Sequence, residues 1–160
     1  MKDYSFTRIP SEIFPSGAFE LVVTYKRRNE KRVAIRNSKD AADFARKFMY
    51  PEGSIEYVEL FFIILCDRSN RAYAFKKISE GGTAGTVVDP KIIFTVGLMC
   101  HVSSLVLVHN HPSSNMKPSD ADIYLTKKLA EGGRLLEITI LDHLIITADD
   151  HFSFGDEGLL

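Results

Sequence analysis

The chain has no Cys-x-x-Cys pair, no apolar run long enough to cross a bilayer, and almost no net charge. The first absence excludes a thioredoxin-like redox motif and a structural zinc knuckle. The two cysteines, Cys66 and Cys100, both lie in apolar stretches and read as buried free thiols. The longest apolar run, residues 60–66, falls far short of the ~20 residues that a spanning helix needs. No apolar segment follows Met1 to Phe6, so no secretory leader is expected and a cytoplasmic location is the default. With 20 basic and 21 acidic side chains, the net charge of −1 exerts no general pull toward nucleic acid or anionic membrane.

What is present suits a globular protein. Of 160 residues, 45% are hydrophobic and 26% charged, enough for one domain with a real core. Residues 1–17, broken by Pro10 and Pro15, read as an N-terminal arm, and residues 18–160 as the domain. Strands are expected over 19–25 and 32–35, joined as a hairpin with a basic tip. Ser38 is placed to cap a helix through Phe48, with Ala41, Ala42, Ala45 and Phe48 as its apolar stripe. Residues 58–66 are nearly all apolar and predict a central strand covered on both faces, with a hairpin partner over 72–75. Asp89-Pro90 starts a helix reaching about His101, with proline at the favoured first position and Ile93, Val96, Met99 and Cys100 in its stripe. A buried strand over 105–108 comes next. A helix from Ser119 follows, reaching about Ala130 and stopped by Gly132-Gly133. A long strand over 138–147 and a short one at 152–154 complete a mixed α/β (α+β) fold, a largely antiparallel sheet with helices packed on it.

The chemistry is concentrated between Leu105 and Asp122. An apolar run ends in His109-Asn110-His111, and Pro112 then stops strand pairing. Side chains alternate along a strand, so both imidazoles face one side, their backbones roughly 7 Å apart, and can converge on one metal ion. Ser119 is placed to open a helix whose first turn holds Asp122 as a third, oxygen ligand. Two histidines and one carboxylate leave a tetrahedral zinc with an open position, the arrangement of a catalytic site. Each piece alone has a plainer reading. The histidines can be two polar side chains at a sheet edge, and Ser-x-x-Asp a capping box with Asp in the usual place of Glu or Gln. Their arrival at one strand-to-helix junction favours metal binding, and a capping carboxylate can still reach outward.

A hydrolytic zinc site also needs a group that takes a proton from the attacking water and returns it to the leaving group. Glu59 stands at the entrance of an otherwise apolar strand, in alternation with Phe61, Ile63 and Leu65. A carboxylate there is costly unless it sits at a rim or has a partner. A strand-end Glu reaching solvent is the competing reading, while Glu56 and Glu80 lie in more polar stretches.

The string Glu59…His109-x-His111-x7-Ser119-x2-Asp122 resembles the JAMM motif of the JAB/MPN metalloprotease family. HNHPS, PSDADIYLT, Leu141-Asp142-His143-Leu144-Ile145-Ile146 and the closing SFGDEGLL resemble the C-terminal domain of its bacterial RadC-like branch. The resemblance covers roughly residues 54–160, together with the preceding helix. It implies one zinc ion held by His109, His111 and Asp122, Glu59 as general base and then general acid, and Ser119 hydrogen-bonding the bound water or the developing oxyanion. The implied reaction is hydrolysis of a peptide or isopeptide bond. One departure stands out: Ser114 occupies a position where RadC-like proteins usually have glycine, which stiffens the loop. Longer members carry a DNA-binding helix-hairpin-helix before this domain, and 160 residues leave no room for one.

Other residues have two readings each. Asp142-His143 sits inside a strand of Leu and Ile, either orienting a zinc ligand or satisfied as a polar pair within the fold. His101 follows a helix and favours its C-terminal end, His151 lies in an Asp-rich turn at the surface, and Asn110 reads as turn-forming. Five of the seven residues 26–32 are basic; a solvated hairpin tip is favoured over phosphate contact, since the run is short and lacks aromatics. The expected partner is a peptide or isopeptide-linked protein. Two rival functions are a DNA-repair-associated or DNA-binding protein with a secondary metal site, and a protein-interaction domain without turnover. Retention of every motif residue argues against the latter. No membrane is implied, and oligomeric state is not encoded legibly.

Overall fold

The computed structural model describes residues 6–8, 21–23, 32–50, 54–81 and 87–160. Two compact units divide the chain, Met1–Glu30 and Lys31–Leu160. In the first, β1 (Phe6–Arg8) pairs antiparallel with β2 (Leu21–Val23), so the expected arm contains a strand. The strand expected over 32–35 is β3 (Val33–Ala34), and it joins a different sheet, pairing with β5 (Arg71–Glu80) instead of forming a hairpin with β2. The basic tip, residues 26–31, lies outside the described residues. Its neighbour Arg32 is ion-paired with Asp67.

The second unit is a six-stranded sheet in the order β3-β5-β4-β6-β7-β8, with β4 at Leu60–Cys66, β6 at Ser104–Asn110, β7 at Thr139–Ile146 and β8 at His151–Ser153. Its pairs are antiparallel except β6 with β7, which are parallel and joined by the crossover helix α3 (Asp120–Leu135). Helix α1 spans Ser38–Phe48 and α2 spans Pro90–Met99.

Strand alternation explains why β4 is apolar throughout. Leu60, Phe62, Ile64 and Cys66 pack with Ala41, Ala42 and Ala45 of α1 on one face. Phe61, Ile63 and Leu65 pack with Ile93 of α2 and Leu129 of α3 on the other. A strand covered on both faces has no solvent side to make polar. Cys66 is buried as expected, whereas Cys100 is only half-buried, and neither is in a disulfide.

Local capping shifts two expectations. Asn37, not Ser38, caps α1, its Oδ1 accepting from the Asp40 N–H at 2.8 Å. Phe44 takes the buried place expected of Phe48, which is 46% exposed. Helix α2 opens as expected on Asp89 and Pro90.

Helix α3 runs through Gly132 and Gly133 to Leu135 instead of stopping at them. These glycines serve close packing. A Cβ on Gly133 would lie 2.3 Å from the Ile138 carbonyl oxygen, and one on Gly132 would lie 2.9 Å from the Phe94 ring. The chain turns back at Glu137, whose φ is 56°, and enters β7. Gly133→Ala is expected to cost about 3 kcal/mol, because backbone must shift to admit the methyl. Gly132→Ala meets only a movable ring edge, and alanine's better helix propensity offsets about 1 kcal/mol. Urea midpoints of the two variants test this, and equal costs would contradict it.

Candidate metal centre

Register carries the key side chains to one end of the sheet. Phe61 of β4 lies opposite His109 of β6, and the strands run antiparallel, so the residues before β4 and after β6 meet at the same rim. That rim receives Glu59 from one side and His111 from the other, although fifty residues separate them in sequence. The strand β6 extends through His109 and Asn110, two residues beyond the apolar run that announced it.

Asp122 arrives from α3. Ser119 caps that helix: its Oγ accepts from the Asp122 N–H at 3.2 Å, while the Asp122 Oδ2 accepts from the Ser119 N–H at 2.8 Å. This is the capping box read from Ser-x-x-Asp. The Ser119 hydroxyl also donates to Asp122 Oδ2 at 2.6 Å. The cap leaves Oδ1 to face His109 Nε2 at 3.4 Å, and Oδ2 lies 3.7 Å from His111 Nε2.

The ligand atoms of His109, His111 and Asp122 all lie within 4.8 Å of one another, and among the described residues they form a group that can hold a metal ion. The two Nε2 atoms are 3.0 Å apart. Donors held about 2.0–2.1 Å from a tetrahedral zinc lie about 3.3 Å from each other, so these separations suit one ion. Proton placement supports the fit. His111 Nδ1 sits 2.6 Å from the Asn115 carbonyl, which can only accept, so Nδ1 carries a proton and neutral His111 turns a bare Nε2 inward. Its neighbours there are His109 Nε2 and a carboxylate. Three lone-pair donors aimed at one point call for a cation.

The charges follow from this crowding. Burial drives the His109 pKa down to about 4 against the pull of Asp122. His111 moves the other way, raised chiefly by the Asp122 carboxylate, with the Asn115 carbonyl and Glu59 adding to it. Burial opposes ionisation of Asp122, yet His111, His109 and Ser119 together hold its carboxyl well below the usual range.

Glu59 is half-buried immediately before β4, and its carbonyl accepts from the Gly81 N–H at 2.9 Å. Its carboxylate acts electrostatically on both His111 and Tyr50. Asn110 governs the segment that carries it. Fully buried and facing away from the histidines, Asn110 accepts from the Leu60 N–H at 2.8 Å through Oδ1. Its amide donates to the carbonyls of Ile55 and Val58 at 2.7 and 2.8 Å. The turn-forming role expected of Asn110 is therefore wrong: it lies in a strand and pins the approach to Glu59.

Behind the ligands, His143 is fully buried, with Nε2 2.9 Å from His109 Nδ1 and Nδ1 2.6 Å from the Thr126 hydroxyl. Phe61 stacks on His109 and Phe154 on His143, fixing both ring planes. The two readings of Asp142-His143 thus divide between the residues. His143 supports a ligand, while Asp142 accepts from the Ser153 hydroxyl, the Gly155 N–H and the His143 N–H. Thr126 escaped the sequence reading, though its spacing four residues after Asp122 on one helix face was a usable signal. Ser114 takes φ of 57°, the left-handed conformation that glycine adopts more readily. His101 is exposed just after α2 with φ of 49°, and His151 is half-buried in β8.

Comparison with known proteins agrees with this geometry. Residues 35–159 match the family model described as RadC-like JAB domain. The chain is 40% identical over 125 residues to a UPF0758 protein of Flavobacterium johnsoniae, covering 78% of this chain and 53% of that one. A UPF0758 protein of Chlorobaculum parvum is 37% identical over 71% of this chain and 52% of its own. One from Methanosarcina mazei is 39% identical over 70% and 49%. The chain spans about half the length of these curated relatives. Among the described residues no helix is long and apolar enough to cross a membrane. With the strand-to-helix junction, its histidine pair and the match over residues 35–159 all in agreement, the chain belongs to the RadC-like JAB domain family.

Proposed function

We propose that this chain is a zinc-dependent hydrolase of peptide or isopeptide bonds. The observation that carries the reading is the convergence of His109, His111 and Asp122 at the sheet end that also receives Glu59. His109 and His111 would hold the ion through Nε2, and Asp122 through its carboxylate. A bound zinc supplies a nucleophile at neutral pH by lowering the pKa of its water to about 7, and it polarises the scissile carbonyl. Glu59 takes the proton released as water adds to the amide carbon and delivers it to the departing nitrogen, so that water and amide become acid and amine. Ser119 donates to the oxygen that gains charge, turning from the Asp122 carboxylate that it contacts in the resting site. A protein bearing a peptide or isopeptide linkage is the corresponding partner.

The test joins metal analysis to turnover. Purified protein is expected to bind one zinc per chain at neutral pH and to cleave members of a panel of peptide and isopeptide-linked substrates. Glu59→Gln is expected to keep the zinc and to lose about 10²–10⁴-fold in rate. Absence of zinc binding, or turnover unchanged by Glu59→Gln, would sink this reading.

A further inference from the structure

We infer that Thr126 and His143 form a one-directional hydrogen-bond relay that fixes the tautomer of His109 and so presents its Nε2 lone pair to a metal. The inference rests on the metal-centre reading and adds two positioning residues to it.

The direction follows from proton counting. The Thr126 hydroxyl has one proton and two close neighbours, the Asp122 carbonyl oxygen at 2.6 Å and His143 Nδ1 at 2.6 Å. A carbonyl oxygen can only accept, and two oxygens approach to 2.6 Å only with a proton between them. The hydroxyl therefore donates to Asp122 and accepts from His143 Nδ1–H. A neutral imidazole protonated at Nδ1 has a bare Nε2, so His143 Nε2 accepts, and the donor at 2.9 Å is His109 Nδ1–H. His109 is then bare at Nε2, the atom that faces Asp122 and His111.

The path closes on itself. Asp122 offers its side chain as a ligand, and its backbone carbonyl sets the proton order that readies His109. Burial isolates the relay from water, since His109, His143 and Thr126 are each at most 1% exposed. The stacked rings of Phe61 and Phe154 keep either imidazole from turning over. Without the hydroxyl the order can reverse, with His143 donating from Nε2 to His109 Nδ1. His109 would then carry its proton on Nε2 and block the ligand position. Second partners of this kind are worth about 10–100-fold in metal affinity.

Two measurements decide the matter. Long-range ¹⁵N–¹H NMR of the metal-free wild type above neutral pH is expected to show both His109 and His143 protonated at Nδ1. Zinc affinity, read by competition with a chromogenic chelator, is expected to fall about 10–100-fold in Thr126→Val and to return to near the wild-type value in Thr126→Ser. His143→Gln, whose side-chain oxygen can replace Nε2 as acceptor, is expected to bind zinc better than His143→Phe. Finding His109 protonated at Nε2 in the wild type would overturn the relay, as would Thr126→Val binding zinc like the wild type. The NMR reading needs no variant to fold and no metal to bind. A wild type that shows both Nδ1 protons yet takes up no zinc would discard the metal reading and leave the relay standing.

Discussion

Metal-free protein is expected to lose stability between pH 7 and pH 5, roughly 2 kcal/mol of it through His109 alone, with His143 acting in the same direction. The cause is two buried imidazoles that resist protonation. Burial lowers the His109 pKa to about 4, and burial with the nearby His109 lowers that of His143 well below its ordinary value. In the unfolded chain both titrate near 6.5. Above 6.5 neither state binds these protons, and their contribution to stability is fully present. As pH falls through 6.5 the unfolded chain takes up two protons that the folded protein declines. Each then costs about 1.4 kcal/mol per pH unit until its folded value is reached. For His109 the window closes near 4, and His143, lowered by burial, adds a loss of the same sign as pH falls below 6.5. Two groups oppose the trend: His111, raised by Asp122, and Asp142, raised by burial, both favour the folded state as pH falls. The depressed Asp122 works in the same direction as the two histidines, but only in the carboxylate range below them. Urea unfolding of chelator-treated protein at pH 7, 6 and 5 reads the slope directly. A flat profile, or one that rises toward pH 5, would contradict the burial of two neutral imidazoles. A domain holding only about 5–15 kcal/mol in total would feel this loss strongly.

Such a cost sets these residues apart from their surroundings. The core on that face is otherwise Phe61, Ile63, Leu105, Leu107 and Leu129, and apolar side chains there would each contribute about 1.5–3 kcal/mol by burial. His109 and His143 interrupt that core with groups that must stay neutral and hydrogen-bonded. The arrangement is stable only because Thr126, Asp122 and the stacked Phe rings satisfy and hold them. A cation held by His109, His111 and Asp122 would relieve the facing lone pairs and stabilise the same geometry further.

The parts of the site legible in the sequence are those in which spacing alone becomes geometry. His109-x-His111 works because strand side chains repeat every second residue, and Ser119-x2-Asp122 because a helix cap reaches its third residue. Both survive intact in the structure. Glu59 is of another kind. Its closeness to His111 depends on Phe61 pairing with His109, an antiparallel register between strands far apart in sequence. That pairing is a tertiary fact: the sequence marked Glu59 as a carboxylate entering an apolar strand, and only the family resemblance joined it to the histidines. The end of α3 was missed for a related reason: Gly132 and Gly133 read locally as a stop, but their missing side chains admit Phe94 and the Ile138 carbonyl. The β2–β3 hairpin failed because β3 found its partner in β5. Asn110 failed most instructively, since a polar residue between two histidines looks like a turn until the backbone groups it satisfies are known.

Asn110→Asp is expected to destabilise the protein by about 4 kcal/mol while leaving the metal ligands in place. The substitution preserves shape and still lets an oxygen accept from the Leu60 N–H. What it removes is the amide that donates to the Ile55 and Val58 carbonyls, placing an acceptor-only oxygen against two others in a site with no solvent exposure. Each orphaned carbonyl costs about 1–3 kcal/mol, and the carboxyl must be either buried as a charge or kept protonated. Asn110→Leu avoids the charge but strands all three backbone groups, and is expected to fall in the same range. Two readings distinguish a local effect from general loosening. Denaturant unfolding gives the total, and amide exchange at Leu60 shows whether the strand entrance opens first. Because Asn110 faces away from His109 and His111, the folded fraction of Asn110→Asp should bind zinc within a few-fold of the wild type, whereas any hydrolysis that depends on Glu59 should fall much further. A variant that unfolds at the wild-type midpoint would remove Asn110 from the role assigned here. One that loses zinc in step with activity would place its effect on the ligands instead of on Glu59.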